Sequence, residues 1–303
     1  MRITSYSFAR QQMTWLNATV AAQQRAILQM NTGQRLLRWS DDPGAAQAVD
    51  RLVGAVERGN SYLRVVQTLA GGQERAEAGM RSLIEQLDVA VARLTGALND
   101  DPSSGTPQIK ARALAEVRDQ VLSLVNTADI DGRAIFAGTA RGTHAVRYDA
   151  AAEAGKRYAY VGNNERNHVA IDVTQVVETG QSLPEVADLL NMLDVAIAAL
   201  EAPAGASGQT ARRALEAALE GTRQTQDAVG GKVADLGYLR NVLDAVGERH
   251  QTVGQAWQEE AVRLGGIDQT ALTTELSQLA AAGEMLRQIY AHFGRTTLFD
   301  YVG

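Results

Sequence analysis

Four histidines, His144, His168, His250 and His292, are the first residues to test for chemistry. None has a second ligand three or four positions away, as a helical metal site requires. His250 falls in phase with an apolar heptad stripe, which reads as a partly buried or solvated ring. Asp129-Ile130-Asp131-Gly132 begins like a calcium loop. It lacks the further acid before its glycine and the Glu six positions after it, so a glycine turn between helix and strand is expected there. Gly230-Gly231-Lys232-Val233 has neither the leading glycine nor the Ser/Thr of a phosphate loop and reads as a relaxed stretch of helix. The absence of cysteine excludes a thiolate nucleophile, a disulfide framework and a sulfur-ligated zinc. Asp100-Asp101 and Glu259-Glu260 read as solvated carboxylates. The one place left for a reaction is Tyr160, Asn163, Asn164 and His168. No catalytic, metal or cofactor site is expected elsewhere, and no cofactor is expected at all.

The elements that carry these residues are mostly helices with narrow apolar seams. Leu272, Leu276, Leu279, Gly283, Leu286, Tyr290 and Phe293 recur at spacings of four and three. Tyr6, Ala9, Met13, Leu16, Val20, Gln23, Ile27 and Met30 repeat that rhythm near the other end, so the two terminal helices are expected to pair. Asn31-Thr32-Gly33 should stop the first helix, and in Ser40-Asp41-Asp42-Pro43 an acid should cap the second while Pro43 occupies its first turn. From Val49 to Leu98 fifteen seam positions follow, of which only Gly59, Gln73 and Glu77 are not apolar; fifty such residues would make a rod of roughly 75 Å. Asn99 to Gly105 reads as a loop, and Thr106-Pro107 restarts a helix with Leu114, Val117, Val121 and Leu124 on its seam, expected to fold back on the second.

Between about 138 and 180 the period changes. Residues 145–148, 157–161 and 168–173 alternate as short strands, a β insertion too small to hold its own core. Helical period returns at Pro184, breaks in residues 203–208, and resumes in a second rod whose seam runs Leu215, Val229, Leu236, Leu239, Leu243, Val246, Val253, Trp257 and Leu264.

The expected fold is therefore mainly α, a long antiparallel bundle or coiled coil formed by the N- and C-terminal halves, with a small inserted β domain. Its expected parts are a terminal coiled coil (1–40 with 266–303), a rod domain (41–137 with 181–265) and the insertion (138–180). A net charge of -6 with no basic cluster gives no case for nucleic acid or anionic lipid. No apolar run approaches the roughly 20 residues of a membrane span. Residues 1–40 carry five arginines and no acid, whereas 265–303 hold four acids against two arginines, giving -4 + 2 = -2. Opposite signs favour the pairing modestly. The same basic segment also looks like a transit peptide, although its heptad phase is stricter than one needs.

Met1-Arg2-Ile3, Met30-Asn31-Thr32-Gly33-Gln34-Arg35, Ser40-Asp41-Asp42-Pro43, Gly132-Arg133-Ala134-Ile135-Phe136-Ala137-Gly138, Thr274-Glu275-Leu276-Ser277-Gln278 and Leu298-Phe299-Asp300-Tyr301-Val302 stand in an order and spacing that resembles the bacterial flagellin superfamily. The Asp-Asp-Pro step and the Leu-Phe-Asp-Tyr close are more like its hook–filament junction subunits than its filament flagellins. The resemblance implies a structural subunit and no enzyme. It would be secreted through the flagellar type III apparatus without a cleaved signal and form a ring of identical copies at the hook–filament junction. The implied partners are the hook-side hook-associated protein, flagellin, and a cytosolic export chaperone at the C-terminal helix. The implied assembly interface is the terminal seams: Tyr6, Met13, Leu16, Val20, Ile27, Met30, Leu272, Leu276, Leu279, Leu286, Tyr290, Phe293, Leu298 and Phe299. Filament flagellin remains the alternative, as does, in another class, a cytoplasmic helical signalling or scaffold protein.

Overall fold

The helix boundaries follow from local capping. The computed structural model describes residues 2–99, 107–140, 142, 144–202 and 208–299, without the side chains of 2–6, 9 and 293–299. Six helices and four short strands are described: α1 (Arg2–Thr32), α2 (Pro43–Asn99), α3 (Pro107–Val125), β1 (Val146–Tyr148), β2 (Tyr158–Tyr160), β3 (Asn167–Ala170), β4 (Val176–Thr179), α4 (Glu185–Glu201), α5 (Gly208–Gly265) and α6 (Gln269–Phe299). The fold is mainly α with a small β insertion. Gly33, at φ +68°, stops α1 in the left-handed conformation glycine tolerates best. Asp42 caps α2, its Oδ1 accepting the Ala45 N–H at 3.0 Å, while Pro43 takes the first helical position. That backbone bond holds the Asp42 carboxyl below the usual carboxylate range. Asp268 caps α6 in the same way through the N–H groups of Thr270 and Ala271. The expected loop at 99–105 and joint at 203–208 lie almost wholly outside the described residues.

The chain packs as two units, Met1–Asn60 with Thr252–Gly303, and Ser61–Gln251. In the first, α1 and α6 pair antiparallel, with Gly283 facing Thr19 and Gln23, and an isolated bridge joining Gln34 to Gly266.

In the second, α2, α3, α4 and α5 share one apolar core. Val66, Met80, Leu87 and Leu94 of α2 are buried in the expected phase, and so is Gln73. Ala76, Leu83 and Ala90 fill the alternate positions, one residue before the expected Glu77, Ile84 and Val91. Glu77 instead reaches sideways to Arg81 and Arg240. That cross-link, the Gln226 to Asp88 bond and the stacking of Tyr62 on His250 set α2 and α5 antiparallel. The third helix shares this core, and its tightest packing is with α4.

The insertion is two separate antiparallel hairpins, β1–β2 and β3–β4. The expected third strand ends early. The chain turns at Ile171, whose N–H bonds the Gln175 carbonyl, and Val173 stands 79% exposed at the tip. The returning strand β4 was not foreseen, because Val176-Val177-Glu178-Thr179 carries no alternation of its own. Neither hairpin has a private core. Ile171 packs with Val66, Leu243 and Val246, and Val146 and Tyr158 join the helical core.

Candidate functional site

The four residues reserved for a reaction do not converge on one. Tyr160 donates its hydroxyl to the Phe136 and Asn163 carbonyls, and burial pushes its pKa up to about 12. Asn163 is spent on Thr139, accepting from its N–H and hydroxyl at Oδ1. Asn164 and His168 are exposed. Tyr160 and Asn163 clasp the Phe136–Thr139 segment, and the other two take no part. Gly138, at φ +69°, leaves no room for a Cβ, which would stand 2.1 Å from the Asn163 carbonyl oxygen. Asp129-Ile130-Asp131-Gly132 is a turn closed by Asp129 Oδ1 on the N–H groups of Asp131 and Arg133. Its Gly132 sits at φ +75°. His250 is half-buried, stacked on Tyr62 with Nε2 3.0 Å from the Ile171 carbonyl. Among the described residues no cluster of three His, Cys, Asp or Glu could hold a metal.

The acid that matters most in this unit carries no motif. Asp194 is 2% exposed on α4 and takes Arg118 at 3.2 Å and Arg157 at 3.3 Å. One acid inside the apolar run Leu189–Ile197 was the available signal, since a buried carboxylate demands a cation.

In the first unit, α6 pairs through the face its spacing implies, Tyr290 apart, and α1 through a face shifted from the expected one. On α6, Leu272 is buried and Leu276, Leu279 and Leu286 are half-buried against α1, with Gly283 buried among them. Tyr290 is 46% exposed. On α1 the inward face is Gln12, Leu16, Thr19, Gln23 and Ala26, with Val20 half-buried beside it. Met13, Ile27 and Met30, placed on the seam by periodicity, are instead 45%, 46% and 40% exposed. The physical reason is shape. Rotating α1 puts short and flexible side chains over the Cβ-less Gly283 and turns Met13 and Ile27 outward, whereas Met30 keeps the heptad phase of Leu16 and Gln23 and is exposed near the end of the helix. Phe8, Trp15 and Leu28 of α1, and Met285 and Ile289 of α6, join them as exposed apolar side chains that periodicity alone did not single out. The side chains of Tyr6, Phe293, Leu298 and Phe299 lie outside the described residues.

A short strap follows α1 and ties the same unit together. Arg35 donates its backbone N–H to the Gly265 carbonyl and its guanidinium to the Leu264 carbonyl, both in the last turn of α5. Arg25 pairs with Asp41 at 2.9 Å, and Asp41 also accepts the N–H groups of Leu37 and Arg38. The Thr-Gly-Gln-Arg and Asp-Asp-Pro stretches thus have defined work: stopping one helix, capping the end of another and starting a third.

No family model matches the chain. Over 276 residues it is 28% identical to the flagellar hook-associated protein 3 of Escherichia coli K12, covering 81% of this chain and 82% of that one. This chain is similar to hook-associated protein 3 over most of its length. The protein of that name from Salmonella typhimurium is 27% identical over 295 residues, covering 85% of this chain and 86% of its own. Solved structures agree in fold. A Vibrio parahaemolyticus protein assigned as a flagellar hook-associated protein matches with a TM-score of 0.61 at 22% identity, covering 74% of this chain and 99% of its own. FlgL of Xanthomonas campestris matches at 0.58 and 14% identity, covering 70% and 98%. The similarity to hook-associated protein 3 spans far more than the short stretches quoted above.

Proposed function

We propose that this chain is a structural subunit of the bacterial flagellum that forms the junction ring between hook and filament. The observation that carries the reading is the set of exposed apolar side chains on the paired terminal helices, in a chain similar to hook-associated protein 3 over most of its length. Met13, Trp15, Ile27, Leu28 and Met30 on α1 and Met285, Ile289 and Tyr290 on α6 stand exposed in the single chain. Apolar groups in that number on one helix pair favour burial against further copies. The terminal seam residues form the inner, ring-building layer (1–40 with 266–303), the rods a second layer (41–137 with 181–265), and the hairpins an outward part (138–180).

The partners in this reading are identical copies within the ring, the hook-side hook-associated protein, flagellin, and a cytosolic chaperone on the C-terminal helix before export. Export proceeds through the flagellar type III apparatus, with the termini ordering on assembly. The polar inward face of α1 supports that step, because Gln12, Thr19 and Gln23 bury little apolar area against α6. No step involves a reaction.

Immunogold electron microscopy of intact flagella with antibody to residues 138–180 tests the reading. One band of label where hook meets filament is the expected result. Label along the whole filament would make the chain a filament subunit, and label only inside cells would remove it from the flagellum.

A further inference from the structure

Several glycines of α2 and α5 are explained by a close neighbour. A Cβ on Gly79 would strike Phe136 and one on Gly221 would strike Met192, while one on Gly265 would stand 3.3 Å from Val49 and one on Gly247 3.6 Å from Val66. Gly59 and Gly254 are different. A Cβ on either would meet no atom within 4 Å, although Gly59 is buried and Gly254 half-buried. Alanine would fit both places and is the better helix former, so packing gives no reason for glycine at either.

The two glycines stand at one level. Gly247 lies against Val66 and Leu63; Gly59 is one heptad before Val66, Gly254 is one heptad after Gly247, and the helices run antiparallel. The contact of Gly265 with Val49 gives the same register. Among the described residues, no other two glycines of α2 and α5 with an open Cβ position share a level in that register. The packed core also thins there. Among residues 43–65 of α2 only Gly59 is buried, and among residues 248–265 of α5 none is. The division of the chain into its compact units falls beside the same pair, after Asn60 and after Gln251.

We infer that Gly59 and Gly254 form a paired bend point at which α2 and α5 flex together. A helix bends by lengthening or opening the N–H to carbonyl bonds of one turn. Its antiparallel partner is tied to it before this level by Val49 on Gly265 and after it by Tyr62 on His250, so the matching turn must open too. Few packed side chains are strained when it does. The bend is a property of the single chain; only its use, as compliance in a subunit placed between hook and filament, rests on the flagellar reading.

Hydrogen exchange followed by mass spectrometry tests it on the purified chain. The amides of residues 60–63 and 255–258, whose helical bonds run back across the two glycines, should exchange faster than those one turn away on either side. Gly59→Ala should slow both sets about fivefold, the factor to which the propensity difference between glycine and alanine corresponds, and Gly254→Ala should do the same. That effect on the unsubstituted helix separates a shared bend from propensity, which acts within its own helix. Gly231→Ala is the control, an open Cβ position with no glycine at its level, and should leave both sets unchanged. Uniform exchange along the two helices, slowing confined to the substituted helix, or equal slowing by Gly231→Ala overturns the inference. None of these readouts involves a flagellum, so a wild-type chain found only inside cells would remove the flagellar reading and leave the bend standing.

Discussion

Phe136 lies with its ring edge against the backbone of Gly79: a Cβ on residue 79 would stand 2.9 Å from Phe136 Cζ. The ring is fully buried, and it is the point at which the segment leading out to the hairpins is anchored on α2. Gly79→Ala gains about 1 kcal/mol of helix propensity and forces a ring that has nowhere to go, at about 1–3 kcal/mol. Net destabilisation is expected, and Phe136→Ala should cost about 3–5 kcal/mol. In urea unfolding the pair Gly79→Ala with Phe136→Leu should be less destabilised than the sum of the single changes, since the smaller side chain relieves the clash. Simple additivity would mean that the two residues do not share one contact.

The ion triad centred on Asp194 makes a separate prediction for the same unit. Asp194→Ala leaves Arg118 and Arg157 beside an apolar wall, Arg118 with Asp119 alone, and should cost about 3–5 kcal/mol. Asp194→Asn keeps the shape and part of the hydrogen bonding and should cost less. Thermal unfolding of the three proteins in parallel checks the order wild type, Asn, Ala.

Heptad spacing made the cores of the two long helices legible, because a period sustained over many turns averages out local exceptions. Leu215, Val229, Leu236, Leu243 and Val246 of α5 are all buried in the phase the sequence implies. Periodicity was less decisive on α1, where two adjacent stripes carry similar weight: Leu16 and Gln23 belong to both. The choice between them depends on what faces them, here Gly283, and that information lies some 260 residues away. Strand β4 is held by its pairing with β3 rather than by any pattern of its own. Asp194 was overlooked because its partners come from α3 and from the start of β2, a convergence that only the fold creates. Asn126 and Asn191 are similar cases. Each side chain both accepts from and donates to a strand's backbone, Asn126 on β1 and Asn191 on β2, and neither belongs to a recognisable motif.

Alkaline titration should report the burial of two tyrosines. Burial raises the pKa of Tyr158 and of Tyr160 from 10 to about 12. The sign follows from proton linkage: the folded state holds these protons more tightly than the unfolded chain does. The stabilisation is therefore complete below pH 10 and is lost as pH rises from 10 through 12. Unfolding free energy should decline across that window, and Tyr160→Phe should flatten part of the decline while deleting the bonds to the Phe136 and Asn163 carbonyls. Absorbance at 295 nm checks the same point directly, with a fraction of the phenolate signal delayed until near pH 12.

The terminal helices allow the two roles of their apolar residues to be separated. Leu276 and Leu279 face α1 within one chain, whereas Met13 and Ile27 stand exposed on α1. Met13→Ser and Ile27→Ser touch no buried contact, so each should leave the Tm of the purified chain within the shift that about 0.5 kcal/mol produces. If the exposed face is what neighbours cover, both should nevertheless reduce incorporation into flagella, as Leu279→Asp and Leu286→Asp should by breaking the pair itself. Hydrogen exchange separates the order of events: on the isolated chain the amides of α1 and α6 should exchange rapidly while those of α3 and α4 are protected, and protection at the ends should appear only after assembly. Slow exchange of the terminal amides in the monomer, or full incorporation of Met13→Ser together with Ile27→Ser, would assign these helices to intrachain packing alone.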